Sequence, residues 1–117
     1  MIDFGFIGGR MDANVQSLKY ILEEWWPTIR DYSPESKIYI AGSICNEDII
    51  RDLAFMDNSV KLLGFVDSLR GFYSKFHISL NPVFVQGGLN FKSVEALSAG
   101  KILVTNSLGV KCLGDDK

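Results

Sequence analysis

Apolar positions along this chain alternate between two rhythms. Short dense runs at Ile2–Gly8 (IDFGFIG), Lys37–Ala41 (KIYIA), Val60–Val66 (VKLLGFV), Ile78–Leu80 and Ile102–Thr105 (ILVT) predict five strands. Between them the spacing turns helical. Val15, Leu18, Ile21, Leu22 and Trp25 share one face of a helix expected from about Asn14, which Pro27 kinks or ends. Gly42 and Ser43 lead into a short helix near Glu47–Leu53. Asp67 or Ser68 caps a helix in which Leu69, Phe72, Tyr73 and Phe76 follow an i, i+3, i+4, i+7 pattern. Strands alternating with helices predict a doubly wound, Rossmann-like parallel α/β sheet. Neither repeat nor linker interrupts the alternation, so residues 1–117 read as one domain.

In such sheets ligands sit beyond the carboxyl ends of the strands. The informative loops are therefore Gly8–Asn14, Gly42–Asn46, Gly64–Ser68 and Asn81–Asn90. The last runs into GGLNFKSVEALSAG, residues Gly87–Gly100. Gly87 and Gly88 let backbone approach a ligand, Asn90 suits an N-cap, and Gly100 suits a helix stop. On a helical wheel Phe91, Val94, Leu97 and Ser98 fall on one side, with Lys92, Glu95, Ala96 and Ala99 on the other. The second face reads as a floor with room above it. Two readings of Lys92 and Glu95 stand side by side. One is a solvated i,i+3 pair worth about 0.2–0.5 kcal/mol. The other is an anion site: Lys precedes Glu, the weaker order, and a cation in a first turn opposes the helix dipole unless an anion lies in front of it.

Composition narrows the classes. The chain is 47% hydrophobic and 22% charged, with a net charge of −2. Its length is enough to bury roughly two-thirds of the unfolded surface. The twelve basic residues are dispersed, which argues against a nucleic-acid binder. No apolar run reaches the roughly 20 residues of a membrane span, and no signal peptide is visible; a cytoplasmic setting is expected, and any membrane association of a parent protein leaves no mark here. Cys45 and Cys112 lack CxxC spacing and read as reduced thiols. His77, the lone histidine, sits where a helix passes into a strand and reads as structural. Of Trp25 and Trp26, at least one reads as core and the other as a candidate contact with a neighbouring domain. Asp115 and Asp116 read as a frayed tail, and no metal site is expected.

FIGGRMDAN, KIYIAG, VKLLGFVDSLRGFYSKFHISLNP and GGLNFKSVEALSAGKILVTNSLG, in that order and spacing, resemble the C-terminal, nucleotide-binding half of GT-B glycosyltransferases, most closely family 4, the group 1 glycosyl transferases. The similarity covers essentially the whole chain. It implies a nucleotide-sugar donor, transfer to an acceptor with retention of anomeric configuration, no metal or other cofactor, and an N-terminal acceptor-binding domain as partner. On that reading the chain is a fragment truncated at its C-terminus, with no catalytic residue assigned within it and little or no transfer alone. Glu95 holds the E-A-x-x-x-G position that binds the ribose hydroxyls. Arg10, after Gly9, matches the arginine facing the diphosphate. The backbone of Gly87, Gly88 and Leu89 lies near the phosphates or sugar, and Phe65–Val66 matches the loop that contacts the base.

The chain also departs from the family pattern. Val15 stands where many members carry a lysine, and Gly87 where many carry a second glutamate. Asn14 and Lys92 fit a variant with G-x-x-x-K-x-x-E, in which Lys92 supplies the phosphate-facing charge. Alternatives are a receiver-like or flavodoxin-like regulatory domain, which would need an acidic cluster around the first strand, and a GT-B sugar-nucleotide epimerase. A dinucleotide oxidoreductase would need a G-x-G-x-x-G turn that Gly8, Gly9 and Arg10 do not supply. If Lys92 faces phosphate, Lys92→Ala lowers nucleoside diphosphate affinity in calorimetric titration; an unchanged affinity removes the assignment.

Overall fold

A computed structural model describes residues 2–84, 91–106 and 110. Five parallel strands form one sheet: β1 (Phe4–Ile7), β2 (Ile38–Ala41), β3 (Val60–Gly64), β4 (Ile78–Leu80) and β5 (Ile102–Val104), in the order β3-β2-β1-β4-β5. The helices are α1 (Asp12–Tyr20), α2 (Trp26–Tyr32), α3 (Asp48–Phe55), α4 (Leu69–Tyr73) and α5 (Phe91–Ser98). The predicted doubly wound fold is therefore present, and the strand order reverses between β1 and β4.

The alternation of side chains across the strands accounts for the two core layers. Phe4 and Phe6 of β1 and Ile38 and Ile40 of β2 point to the face covered by α1, α2 and α3, where Leu18, Ile21, Trp26 and Ile50 are buried. Ile7, Tyr39 and Ala41 point to the opposite face, against Phe72, Tyr73, Phe76 and Ala96. Trp26 is the anchor of the first layer. Its ring meets Phe4 edge-on at 5.4 Å, and its indole N–H donates to Ser59 Oγ at 2.9 Å. Trp25 stays half-buried and packs on Tyr20, which in turn packs on Phe84.

Several boundaries differ from the sequence reading. The first helix starts at Asp12, two residues before the expected position, and Pro27 does not end it. The helix instead runs through a π turn, Ile21–Trp25, in which the Trp26 N–H donates to Ile21 O. Proline has no N–H to give its preceding turn and its ring crowds the carbonyl there, so a widened turn just upstream accommodates it. β3 stops at Gly64, leaving Phe65 and Val66 outside the strand, and Gly42 opens a 3₁₀ turn, Ser43–Asn46, before α3. Ser68 rather than Asp67 caps α4, its Oγ accepting from Gly71 N at 3.0 Å.

At the amino ends of the strands, His77 N donates to Asp3 O and His77 Nδ1 accepts from Asp3 N at 3.2 Å. Arg30 is held by Asp57, Ser59 and the Pro34 carbonyl. Hydrogen bonds from Ser59 and the Arg30 charge draw the Asp57 carboxyl below its ordinary value, outweighing the opposing effect of burial. His77 is thus structural and lies at the opposite end of the sheet from the ligand-facing loops.

At the carboxyl ends the backbones of β1, β2 and β3 converge on glycines. Gly42 N donates to Gly64 O at 2.7 Å, Ile44 N donates to Gly8 O at 3.2 Å, and Gly42 has φ +102°. A Cβ on Gly42 would lie 2.2 Å from the Gly8 carbonyl oxygen. Both the left-handed backbone and the contact demand glycine there. Gly42→Ala is expected to destabilise the domain by about 2 kcal/mol or more, read as a fall in the urea midpoint.

Candidate functional site

A cleft of about 420 Å³ opens above that glycine floor. It is lined by Ile7, Gly8 and Gly9 after β1, Gly42 and Ser43 after β2, Asn14 of α1, Leu69 of α4, and Lys92 and Glu95 of α5. It stands beyond the carboxyl ends of the strands, beside the β1/β4 reversal, where the sequence places a ligand. A second recess of about 450 Å³ lies in the groove between α4 and α5 and shares Leu69 and Glu95 with the first. Glu95 therefore lines both hollows.

The stem leading from β4 toward α5 is pinned from several elements. Ser17 Oγ donates to Pro82 O at 2.7 Å, and Thr105 Oγ1 donates to Asn81 O at 2.7 Å. Asn81 Nδ2 donates to Ser93 Oγ at 2.8 Å, while Asn106 binds both the N–H and the carbonyl of Val83. These bonds fix α5 against the sheet. Its inner face is made of Ser93 and Ala96, both fully buried, which lets the helix come close to Tyr73 and Phe76. The wheel reading is corrected here: Ala96 belongs to the core rather than an open floor, and Leu97 is half exposed. Two small residues three apart on one face of α5 are the sequence signal for this packing.

Lys92 is not a solvated surface lysine. Its Nζ donates to Asn14 Oδ1 at 2.7 Å, and Asn14 Nδ2 donates to Gly9 O at 3.3 Å. The two bonds fix the sense of the amide, oxygen toward the cation and nitrogen toward the loop. Burial lowers the Lys92 pKa from its ordinary value, and the Glu95 charge partly restores it. Glu95 Oε1 accepts from Tyr73 OH at 3.1 Å. Burial first, then the Glu95 charge and this hydrogen bond, push the Tyr73 phenol far above its ordinary value, so it remains a donor.

The other expected site residues fall as follows. Gly9 lines the cleft, with open space above it as far as Ser43 Oγ. Arg10 follows it, but its guanidinium is paired with Glu47 and more than half exposed, and it is not part of the cleft lining. Phe65 projects into solvent at 86% exposure, while Val66 packs against the cluster that contains Phe72, Tyr73 and Phe76. Gly87, Gly88 and Leu89 lie outside the described residues, as do Asn90, Cys112, Asp115 and Asp116. Asn14 is the residue whose importance exceeds its sequence signal, because nothing local tells that it meets a residue 78 positions away. Cys45 is buried, its thiol pKa raised by burial, with Sγ donating to Ile40 O at 3.3 Å. Among the described residues no three His, Cys, Asp or Glu side chains gather to hold a metal ion, and no helix is long and apolar enough to cross a membrane.

A five-stranded parallel sheet of this order, alternating with helices, defines the class as a Rossmann-like α/β domain. Residues 2–116 match the family described as Glycosyl transferases group 1, and the chain belongs to that family. Among solved structures it is similar to a mutant O-GlcNAc transferase from Thermobaculum terrenum, with 18% identity, a TM-score of 0.61, 89% of this chain and 21% of that one covered. It is likewise similar to the GtfA/B complex, with 19% identity, a TM-score of 0.56, 87% of this chain and 20% of that one. Both carry the GT-B fold. The chain spans about a fifth of the length of each. No curated protein sequence matches it significantly.

The lowered Lys92 pKa has a sign that can be checked. Because the unfolded chain holds this proton to higher pH than the folded one, stability rises as pH climbs through the window between the two values. Replacing the amide acceptor by Asn14→Leu removes a partner of the charged form and leaves burial in place, so the Lys92 titration, followed by NMR of labelled lysine, shifts lower still.

Proposed function

We propose that this chain is the donor-binding domain of a glycosyltransferase that takes a sugar from a nucleotide-sugar. The acceptor is bound by a second domain of the same longer protein, and the anomeric configuration is retained. The observation that carries the reading is the cleft itself: a lysine and a glutamate one turn apart on α5, facing a glycine floor at the carboxyl ends of β1 and β2. Phosphate takes the cation end. Lys92, pre-aligned by Asn14, meets the diphosphate, and the amino end of α5 faces the same charge. Glu95 lies about 6 Å from the start of α5 at ~1.5 Å per residue, a phosphate-to-ribose offset. An ionised carboxylate accepts hydrogen bonds only, which suits a vicinal diol.

Arg10 joins the diphosphate by leaving Glu47. A pair this exposed is worth about 0–1 kcal/mol, so the exchange costs little, and the guanidinium fork then matches phosphate oxygens. Phe65 and Val66 offer the base an apolar surface, and the backbone of Gly87–Leu89 contributes beside the phosphates or sugar. During transfer the leaving nucleoside diphosphate gains charge. Lys92 and Arg10 stabilise it more in the transition state than in the bound donor, and that difference is their catalytic contribution. No step calls for a metal.

Family membership and the GT-B likeness of the solved structures support this reading over a receiver-like domain or an oxidoreductase. Calorimetric titration with UDP, GDP and ADP tests it. One of the three is expected to bind in the micromolar to low-millimolar range, and Glu95→Ala to weaken it about 10- to 100-fold, as loss of hydrogen bonds to a charged group worth about 1.5–3 kcal/mol implies. A folded domain that binds none of them, or a variant that binds as well as the parent, overturns the assignment.

A further inference from the structure

We infer that Tyr73 is a positioning residue for nucleotide recognition, its hydroxyl holding the Glu95 carboxylate in the orientation that reads the ribose. The inference rests on the donor-binding reading above and adds Tyr73, which its helical spacing marks only as part of an apolar face.

Tyr73 is 4% exposed, and its ring is wedged between Phe72 at 5.2 Å and Phe76 at 5.6 Å. A ring so enclosed has one orientation. Its hydroxyl emerges from the core where α5 passes, and it donates to Glu95 Oε1 at 3.1 Å. Tyr73 also borders a small recess that reaches Lys92, so it stands behind both charged residues of the cleft. Glu95 itself is half-buried on the outer flank of α5. A glutamate in that setting has several rotamers, and fixing them when a ligand arrives costs up to about 2 kcal/mol of entropy. The phenol fixes them beforehand. A carboxylate has about four acceptor positions. With one on Oε1 taken by Tyr73, the rest of Oε1 and the whole of Oε2 remain for a diol. Because burial and the neighbouring charge keep the phenol protonated, the donor persists through the physiological range.

A buried phenol needs some partner, and a purely structural bond would affect stability alone. Positioning predicts something narrower. The wild-type chain and Tyr73→Phe are titrated with whichever of UDP, GDP and ADP binds, with its 2′-deoxy counterpart, and with inorganic pyrophosphate. The ring is retained, so the core remains filled, and near-UV circular dichroism verifies the fold. The wild type is expected to prefer the ribose form. Tyr73→Phe is expected to shrink that preference roughly 3- to 10-fold, with pyrophosphate and the deoxy form bound as before. Glu95→Gln gives a second route: in that background Tyr73→Phe should change the preference no further. An unchanged preference in Tyr73→Phe overturns the inference while leaving the donor-binding reading intact, even if the melting temperature falls. An equal loss for both nucleotides does the same. A wild-type chain that binds none of the nucleotides, or does not distinguish ribose from deoxyribose, overturns the reading of Glu95 and this inference with it.

Discussion

The site depends on the close approach of Gly42 to the Gly8 carbonyl, which leaves no room for a Cβ. Strand β2 can turn away directly after Ala41 only because Gly42 takes a left-handed conformation with its α-carbon over the Gly8 carbonyl. That turn sends the Ile44 N–H back onto Gly8 O and gives the Gly42 N–H to Gly64. Three strand ends are thereby joined into one low floor. Any side chain at Gly42 would lift β2 off β1, and the space that the cleft occupies would be lost with the floor beneath it.

The walls obey a complementary constraint. Helix α5 carries the charged pair outward because its inner face is small: Ser93 meets Asn81, and Ala96 meets the aromatic layer of α4. Bulk is thus divided unequally between neighbouring segments, with Phe72 and Tyr73 of α4 and the following Phe76 on one side and serine and alanine on the other. The same packing aims the Tyr73 hydroxyl at Glu95. Core and site are therefore not separate constructions. Each charged side chain in the cleft has a polar partner anchored elsewhere in the fold: Asn14 for Lys92, Tyr73 for Glu95.

Much of this was legible in the sequence. The five apolar runs contain the five strands, because a short dense apolar run is a local signal that tertiary packing did not override. Lys92 and Glu95 stood out by their chemistry at a helix start, and the structure brings them into one cleft with Gly9. What the sequence misjudged depends on three-dimensional neighbours. Pro27 reads as a kink or an end of its helix; it does not end it, because the helix runs on through a π turn directly before the buried Trp26. Ala96 read as open floor because a wheel shows which residues share a face but not which face is covered. Asn14 read as a family-variant residue in a loop. Its role became visible only when α5 was laid across it.

The partners of the cleft are far apart along the chain: Asn14 and Lys92 by 78 residues, Ser17 and Pro82 by 65. Contacts of such separation carry a high loop-closure cost, and they form only when β1, β4 and α5 are all in place. The binding geometry is consequently a property of the finished topology, not of any helix–loop segment. A ligand that spans α1 and α5 acts as a non-covalent cross-link between distant parts of the chain. Its binding energy adds to the global unfolding free energy rather than to the stability of one region. For such a ligand, occupancy of the cleft and foldedness are a single equilibrium.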